Sequence, residues 1–208
     1  TSNMPEMPSI ALGTADATVF QMVGAYGTFA NEGVYVKPVL VTRIEDKNGT
    51  VLFENTPETH DVVSAEVARA VVNLMEGVTR YGSGARLRTK GAETYNAIYK
   101  NVMTGYPYQF TNPIAGKTGT TQNNSDGWFI GMVPNLVTGV WVGGEDRAIH
   151  FRTTAYGQGA TMALPIFGYY MKKCYADKDL NVSKGAFPAP QNKEIPIDCN
   201  KEKEGGTE

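Results

Sequence analysis

Three apolar extended runs, separated by two polar turns, occupy residues 113 to 144, and nothing else in the chain constrains its fold as strongly. Ile114-Ala115-Gly116 leads into Lys117-Thr118-Gly119-Thr120. A polar stretch, Thr121-Gln122-Asn123-Asn124-Ser125-Asp126-Gly127, follows, and then the apolar run Trp128-Phe129-Ile130-Gly131-Met132-Val133. Pro134-Asn135 precedes a third apolar run ending near Gly143. Runs of this length, bounded by Asn, Ser, Asp and Pro, predict strands at about 113–120, 127–134 and 137–144 in an antiparallel meander. Ser125-Asp126-Gly127 reads as a turn between the first two.

The end of the first strand carries the chemistry. Lys117 supplies a cation, Thr118 and Thr120 supply hydroxyls, and Gly119 lets a ligand approach the backbone. Alternation places Lys117 and Gly119 on one face and Thr118 and Thr120 on the other. Acyl transfer from a peptide with a free C-terminal carboxylate needs such a set. It uses a cation and hydroxyls for the carboxylate, and a preorganised N–H where an oxyanion forms. Gly116-Lys117-Thr118 also looks like the end of a P-loop, but Thr111 stands where that motif needs its first glycine, and a strand follows rather than a helix.

Composition narrows the classes. The 208 residues are 41% hydrophobic, enough for a core, and carry a net charge of −2, which argues against nucleic acid as a partner. No apolar run approaches the roughly 20 residues needed to cross a bilayer. The start at Thr1-Ser2-Asn3, without a signal peptide pattern, is expected of an internal stretch of a longer protein. His60 and His150 are the sole histidines and read as surface residues, with no spacing that indicates a metal site, so no metal or cofactor is expected. Cys174 and Cys199 admit two readings, a disulfide in an oxidising compartment or two unrelated thiols.

Helical signals flank the strands. Thr18 and Gln21 form a capping box ahead of Val19, Met22, Val23, Tyr26, Phe29 and Ala30, and Gly33 sits past the end. Val39–Asp46 and Thr50–Glu54, joined through Asn48-Gly49, predict a small hairpin over 39–54, followed by a loop at Thr56–Thr59. Ser64 caps a second helix with an apolar stripe of Val67, Val71, Leu74, Met75 and Val78, which Gly82-Ser83-Gly84 breaks. Residues 88–112 form an aromatic insertion with Tyr95, Tyr99, Tyr106, Tyr108 and Phe110. It either walls a cleft or packs its rings inward. Glu145–Gly159 reads as a polar loop. Pro165 opens a last helix bearing Ile166, Phe167, Tyr170 and Cys174, and a tail occupies 176–208.

Several segments, in order, carry a family likeness over roughly residues 9 to 172. They are Ser9–Gly13, Ala25–Asn31 with Gly33, Gly77–Gly84, Ile114–Thr121 with Asp126, Trp128 and Phe129, and Thr138–Gly143. Together with Lys117-Thr118-Gly119 they resemble the C-terminal part of the transpeptidase domain of class A, bifunctional penicillin-binding proteins. The resemblance implies an α+β fold, a partial penicillin-binding-protein/β-lactamase-like sheet with flanking helices, filling residues 1–175. It implies a peptidoglycan D,D-transpeptidase that cross-links stem peptides through an acyl-serine and binds β-lactams. Lys117, Thr118, Gly119 and Thr120 would be its catalytic and substrate-binding residues in this chain. No Ser-x-x-Lys occurs here, so the nucleophile would lie in an upstream segment of the same protein. The resemblance also implies an upstream glycosyltransferase domain and a membrane anchor, with this domain on the periplasmic side. A sheet lacking its upstream strands would expose an edge or an apolar face, open to self-association. A β-lactamase or D,D-carboxypeptidase relative and a non-catalytic cell-wall binding module are the alternative readings.

Overall fold

A computed structural model describes residues 7–88 and 108–191. Its centre is a three-stranded antiparallel sheet of β5 (Ala115–Thr120), β6 (Asp126–Val133) and β7 (Leu136–Gly143), in that order. These are the three expected strands, within two residues at either end. Among the described residues, five α-helices frame the sheet: α1 (Val19–Ala30), α2 (Ala65–Arg80), α3 (Thr154–Gly157), α4 (Gly159–Met162) and α5 (Leu164–Ala176). The result is an α+β layering, with α1 and α2 on one face and α5 on the other.

Residue parity decides what each face buries. Phe129 and Val133 of β6 point to α5, where they meet Leu164, Phe167 and Met171, all at most 1% exposed. Phe129 and Phe167 pack edge to face at 4.9 Å. Gly131 lies between them on that face, and a Cβ there would come within 2.5 Å of the Phe167 ring. Ala115 and Met132 point the other way, against Val72 and Met75 of α2 and the partly buried Tyr26 and Phe29 of α1. Burying a side chain such as Phe167 contributes about 1.5–3 kcal/mol, so this two-sided burial is what holds the sheet.

α1 and α2 begin as their caps dictate. Thr18 Oγ1 accepts the Gln21 N–H while Gln21 Oε1 accepts the Thr18 N–H, completing the capping box. Ser64 Oγ accepts the Val67 N–H. Gly33, at φ 94°, closes α1, and a Cβ there would collide with the Val63 carbonyl.

Several expectations need correction. The buried face of α2 is Ala68, Val72, Met75, Glu76 and Thr79, whereas Val67 and Leu74 of the expected stripe are 43% and 59% exposed. Val72 and Met75 meet Ala115 and Met132, and Thr79 bonds Ile114 O, an orientation that leaves Val67 and Leu74 facing outward. Ile166 and Tyr170 of α5 are likewise exposed. The hairpin is shorter than expected: β2 (Arg43–Glu45) pairs with β3 (Val51–Glu54), and Val39–Thr42 lies outside it. Its turn places Gly49 at φ 84° with Asp46 O accepting the Gly49 N–H. The expected loop at Thr56–Thr59 ends in a strand, because β4 (Thr59–Asp61) pairs with β1 (Val34–Val36). The polar loop at 145–159 contains α3 and the start of α4. Asp126 and Gly127 belong to β6 rather than to a turn.

Most of the aromatic insertion, including Tyr95, Tyr99 and Tyr106, lies outside the described residues, as does Cys199. Tyr108 and Phe110 are buried, and Phe110 packs edge on against Tyr175. Cys174 is buried. From Asp177 to Gln191 the chain is irregular but attached: Asn135 Nδ2 donates to Asn181 O, Ser183 N donates to Asn135 Oδ1, and Phe187 packs beside Val72 and Met75. Among the described residues no helix is long and apolar enough to cross a membrane.

Candidate active site

β5 is an edge strand, and its outer edge changes character halfway along. In an antiparallel ladder, alternate residues turn both backbone groups toward the partner strand, and those between turn both outward. The Thr121 N–H donates to Asp126 O, so the inward set is the odd-numbered one. Ile114, Gly116, Thr118 and Thr120 therefore face away from β6. Thr79 of α2 closes the first part of this edge, donating its hydroxyl to Ile114 O at 2.5 Å. Arg88 braces the same corner, donating to Thr79 O, Phe110 O and Asn112 O. Burial, and then the like charge of Arg80, lowers the Arg88 pKa, though an arginine stays charged from so high a starting point.

Beyond Gly116 the edge opens. Lys117 is exposed, and its Nζ folds back to donate to the outward Thr118 carbonyl at 2.7 Å. Lys117 and Gly119 share the α1/α2 face with their cross-strand partners Ile130 and Trp128. Gly119 is needed for that packing, since a Cβ would meet Trp128 Cβ at 3.0 Å. Thr118 and Thr120 lie on the opposite face, so the expected alternation holds. The Thr120 hydroxyl accepts the Gly159 N–H of α4 at 3.0 Å and keeps its own proton. The Thr120 backbone N–H points outward along the open edge.

Three supports around this strand end were not anticipated. Ser83 Oγ lies 2.6 Å from Thr118 Oγ1. In the sequence, Gly82-Ser83-Gly84 only breaks the second helix, and the contact with Thr118 comes from the fold. Arg86, in a 3-10 turn at Ala85–Leu87, donates to Ala160 O and Thr161 Oγ1 and so fixes α4 from below Thr120. Asp126, 8% exposed, receives hydrogen bonds from Thr121 Oγ1, Ser125 Oγ and Trp141 Nε1 at 3.1–3.3 Å. That carboxylate holds the connection leaving β5, where Asn123 and Asn124 take left-handed conformations at φ 62° and 56°. The arrangement is a strand edge that offers a cation, hydroxyls and an outward-facing N–H.

Known proteins place this edge in context. The family model described as "Penicillin binding protein transpeptidase domain" matches residues 6–162. Penicillin-binding protein 1A of Aquifex aeolicus is 34% identical over 183 residues, covering 86% of this chain and 22% of the relative. The chain spans about a fifth of the length of the curated relatives it matches. Among solved structures, penicillin-binding protein 1A of Haemophilus influenzae superposes with a TM-score of 0.64 at 23% identity, over 88% of this chain and 29% of that one, a likeness of fold. The PonA1 protein of Mycobacterium tuberculosis in complex with penicillin V matches with a TM-score of 0.62 at 26% identity, over 92% of this chain and 46% of that one. By the extent of these matches, the chain belongs to the penicillin-binding protein transpeptidase domain family.

Proposed function

We propose that this chain supplies the substrate-binding strand and sheet of a peptidoglycan D,D-transpeptidase whose serine nucleophile lies in an upstream segment. The observation that carries the reading is the outer edge of β5, which is capped at Ile114 and open from Lys117 to Thr120. In that reaction the serine Oγ attacks the carbonyl carbon of the D-Ala-D-Ala bond. The C–N bond breaks, and D-alanine leaves with a proton. The amine of a neighbouring stem then attacks the acyl-serine ester, and the serine recovers its proton as the cross-link forms.

Lys117 holds the local positive potential that attracts the terminal carboxylate and sits in the proton network of the nucleophile. The hydroxyls of Thr118 and Thr120 hydrogen-bond that carboxylate. The outward N–H of Thr120 forms half of the oxyanion hole, and the serine's own N–H forms the other half. A β-lactam, which carries a carboxylate beside a strained amide, occupies the same edge and stops at the acyl-serine stage. Phe20, Val67 and Leu74, exposed on α1 and α2, are the surface on which the upstream segment packs, and they would drive self-association without it. The domain works on the extracytoplasmic side of a membrane-anchored protein.

Intact mass after incubation with excess benzylpenicillin tests the reading. The expected result is no adduct on this chain alone and a stoichiometric adduct on the full-length protein. A full-length protein that takes no adduct overturns it. Product analysis with stem peptides then separates cross-linking from simple hydrolysis.

A further inference from the structure

Ser83 is held more tightly than an exposed serine needs to be. The Tyr81 and Gly82 N–H groups both donate to Gly77 O, and the Gly84 N–H donates to Val78 O at 2.9 Å. A Cβ at Gly82 would come within 2.9 Å of Val78 Cα, and one at Gly84 within 3.2 Å of Val78 O, so both glycines let the turn fold flat against α2. On its far side the turn is anchored by Leu87, fully buried, and by Arg86 through α4. The Ser83 side chain emerges from this fixed base and meets Thr118, 35 residues on, at 2.6 Å.

Both hydroxyls are at or near the surface, where water would satisfy either of them. The bond therefore adds little to stability, and what it fixes is direction. Two hydroxyls carry two protons, and one lies in the shared bond. The other remains available to a further acceptor. An anion arriving at Thr118 favours one arrangement, in which Ser83 donates to Thr118 and Thr118 donates to the anion. Each bond in such a chain polarises the next.

We propose that Ser83 is a positioning residue for the carboxylate of the incoming peptide or β-lactam, acting through the Thr118 hydroxyl. This rests on the reading above, in which Thr118 meets that carboxylate. Without Ser83, the Thr118 hydroxyl is free to rotate among its rotamers and its donated bond is weaker. The effect is confined to substrates that carry the carboxylate.

The test compares acylation rates of the full-length protein by benzylpenicillin and by its methyl ester, which lacks the anion. Ser83→Ala is expected to slow acylation by benzylpenicillin about tenfold and to leave the ester within about twofold of wild type. Ser83→Thr, which keeps the hydroxyl, should restore the rate. Adding Ser83→Ala to Thr118→Ala should cost nothing further, because the two act through one bond. An equal loss with both probes, no loss with benzylpenicillin, or an additive double variant would overturn the assignment and leave the transpeptidase reading standing. A wild-type protein that neither probe acylates would overturn both.

Discussion

The two halves of β5 belong to one strand and pair with the same neighbour, yet their outer edges are finished differently. Ala115 and Gly116 are buried, and the adjoining carbonyl of Ile114 is capped by Thr79. From Lys117 to Thr120 no strand, helix or capping side chain among the described residues covers the outward backbone, except that Lys117 itself bends back to Thr118 O. A bare sheet edge is normally a hazard that proteins hide. Here the fold hides one half with a helix and holds the other half bare by bracing it from behind, with Asp126, Arg86 and Gly159. The difference separates what keeps the strand folded from what the strand is for.

That separation breaks if the open half turns out to support the fold. Lys117→Ala should slow penicillin acylation of the full-length protein by about 100- to 1,000-fold, the scale of losing one aimed electrostatic group. Its unfolding free energy should stay within about 0.5 kcal/mol of wild type, as for an exposed side chain. Wild-type acylation in that variant would remove Lys117 from the site. A large drop in stability would erase the distinction between the halves.

The closed half should behave in the opposite way. Thr79 is fully buried, donates to Ile114 O and accepts from Arg88 Nη2 at 3.1 Å. Thr79→Val keeps the shape and strands both partners, one of them charged. It should cost about 2–3 kcal/mol in denaturant unfolding, the penalty for buried groups left without hydrogen bonds. Acylation per folded molecule should change little. A variant as stable as wild type would mean that the cap does not hold this edge.

How much of this was legible follows from the range of each interaction. The three strands, the α1 capping box and the Lys117 motif are local patterns of adjacent residues, and they stand where the sequence puts them. Of the α2 stripe, Met75 and Val71 face the core while Val67 and Leu74 do not, because periodicity identifies a helix more surely than its rotation. The contacts of Val72 and Met75 with Ala115 and Met132, and of Thr79 with Ile114 O, decide which side is buried. β1 and β4 went unseen because three-residue strands are too short to show alternation, and their pairing joins Val34 to Asp61. Likewise, the Ser83–Thr118 bond and the Arg86 contacts to α4 join residues far apart in sequence, so the glycines around Ser83 mark a break in the helix but not its partner. The candidate motif was readable, and the scaffold that aims it was not.

A smaller effect sharpens the comparison through α2 itself. Ser64 caps the helix whose far end carries Thr79 and then Ser83. Ser64→Ala should cost about 1 kcal/mol of stability, the usual worth of an N-cap. Since Thr79 and Ser83 lie at the other end, acylation rates should not follow. If thermal melts show no change, the cap is redundant with packing. If acylation falls with stability, the helix end is less well fixed than its contacts imply.

The smallest expected effect lies far from β5 and serves as its control. Asp46 accepts the Asn48 and Thr50 N–H groups at 2.8 and 2.9 Å in the β2–β3 turn. The Thr50 bond first, and then the Asn48 bond, lowers its pKa below the ordinary aspartate value. A depressed folded pKa fixes the sign: the turn has its full stabilisation above the unfolded aspartate pKa and loses it as pH falls through the folded one. Amide shifts of Asn48 and Thr50 should therefore titrate together at an inflection below that of a free aspartate, and Asp46→Asn should abolish it. The Thr121 amide, which reports the β5–β6 ladder, should not follow that titration. An inflection at or above the ordinary value would refute the two hydrogen bonds. A matching shift at Thr121 would instead couple the exposed hairpin to the strand edge.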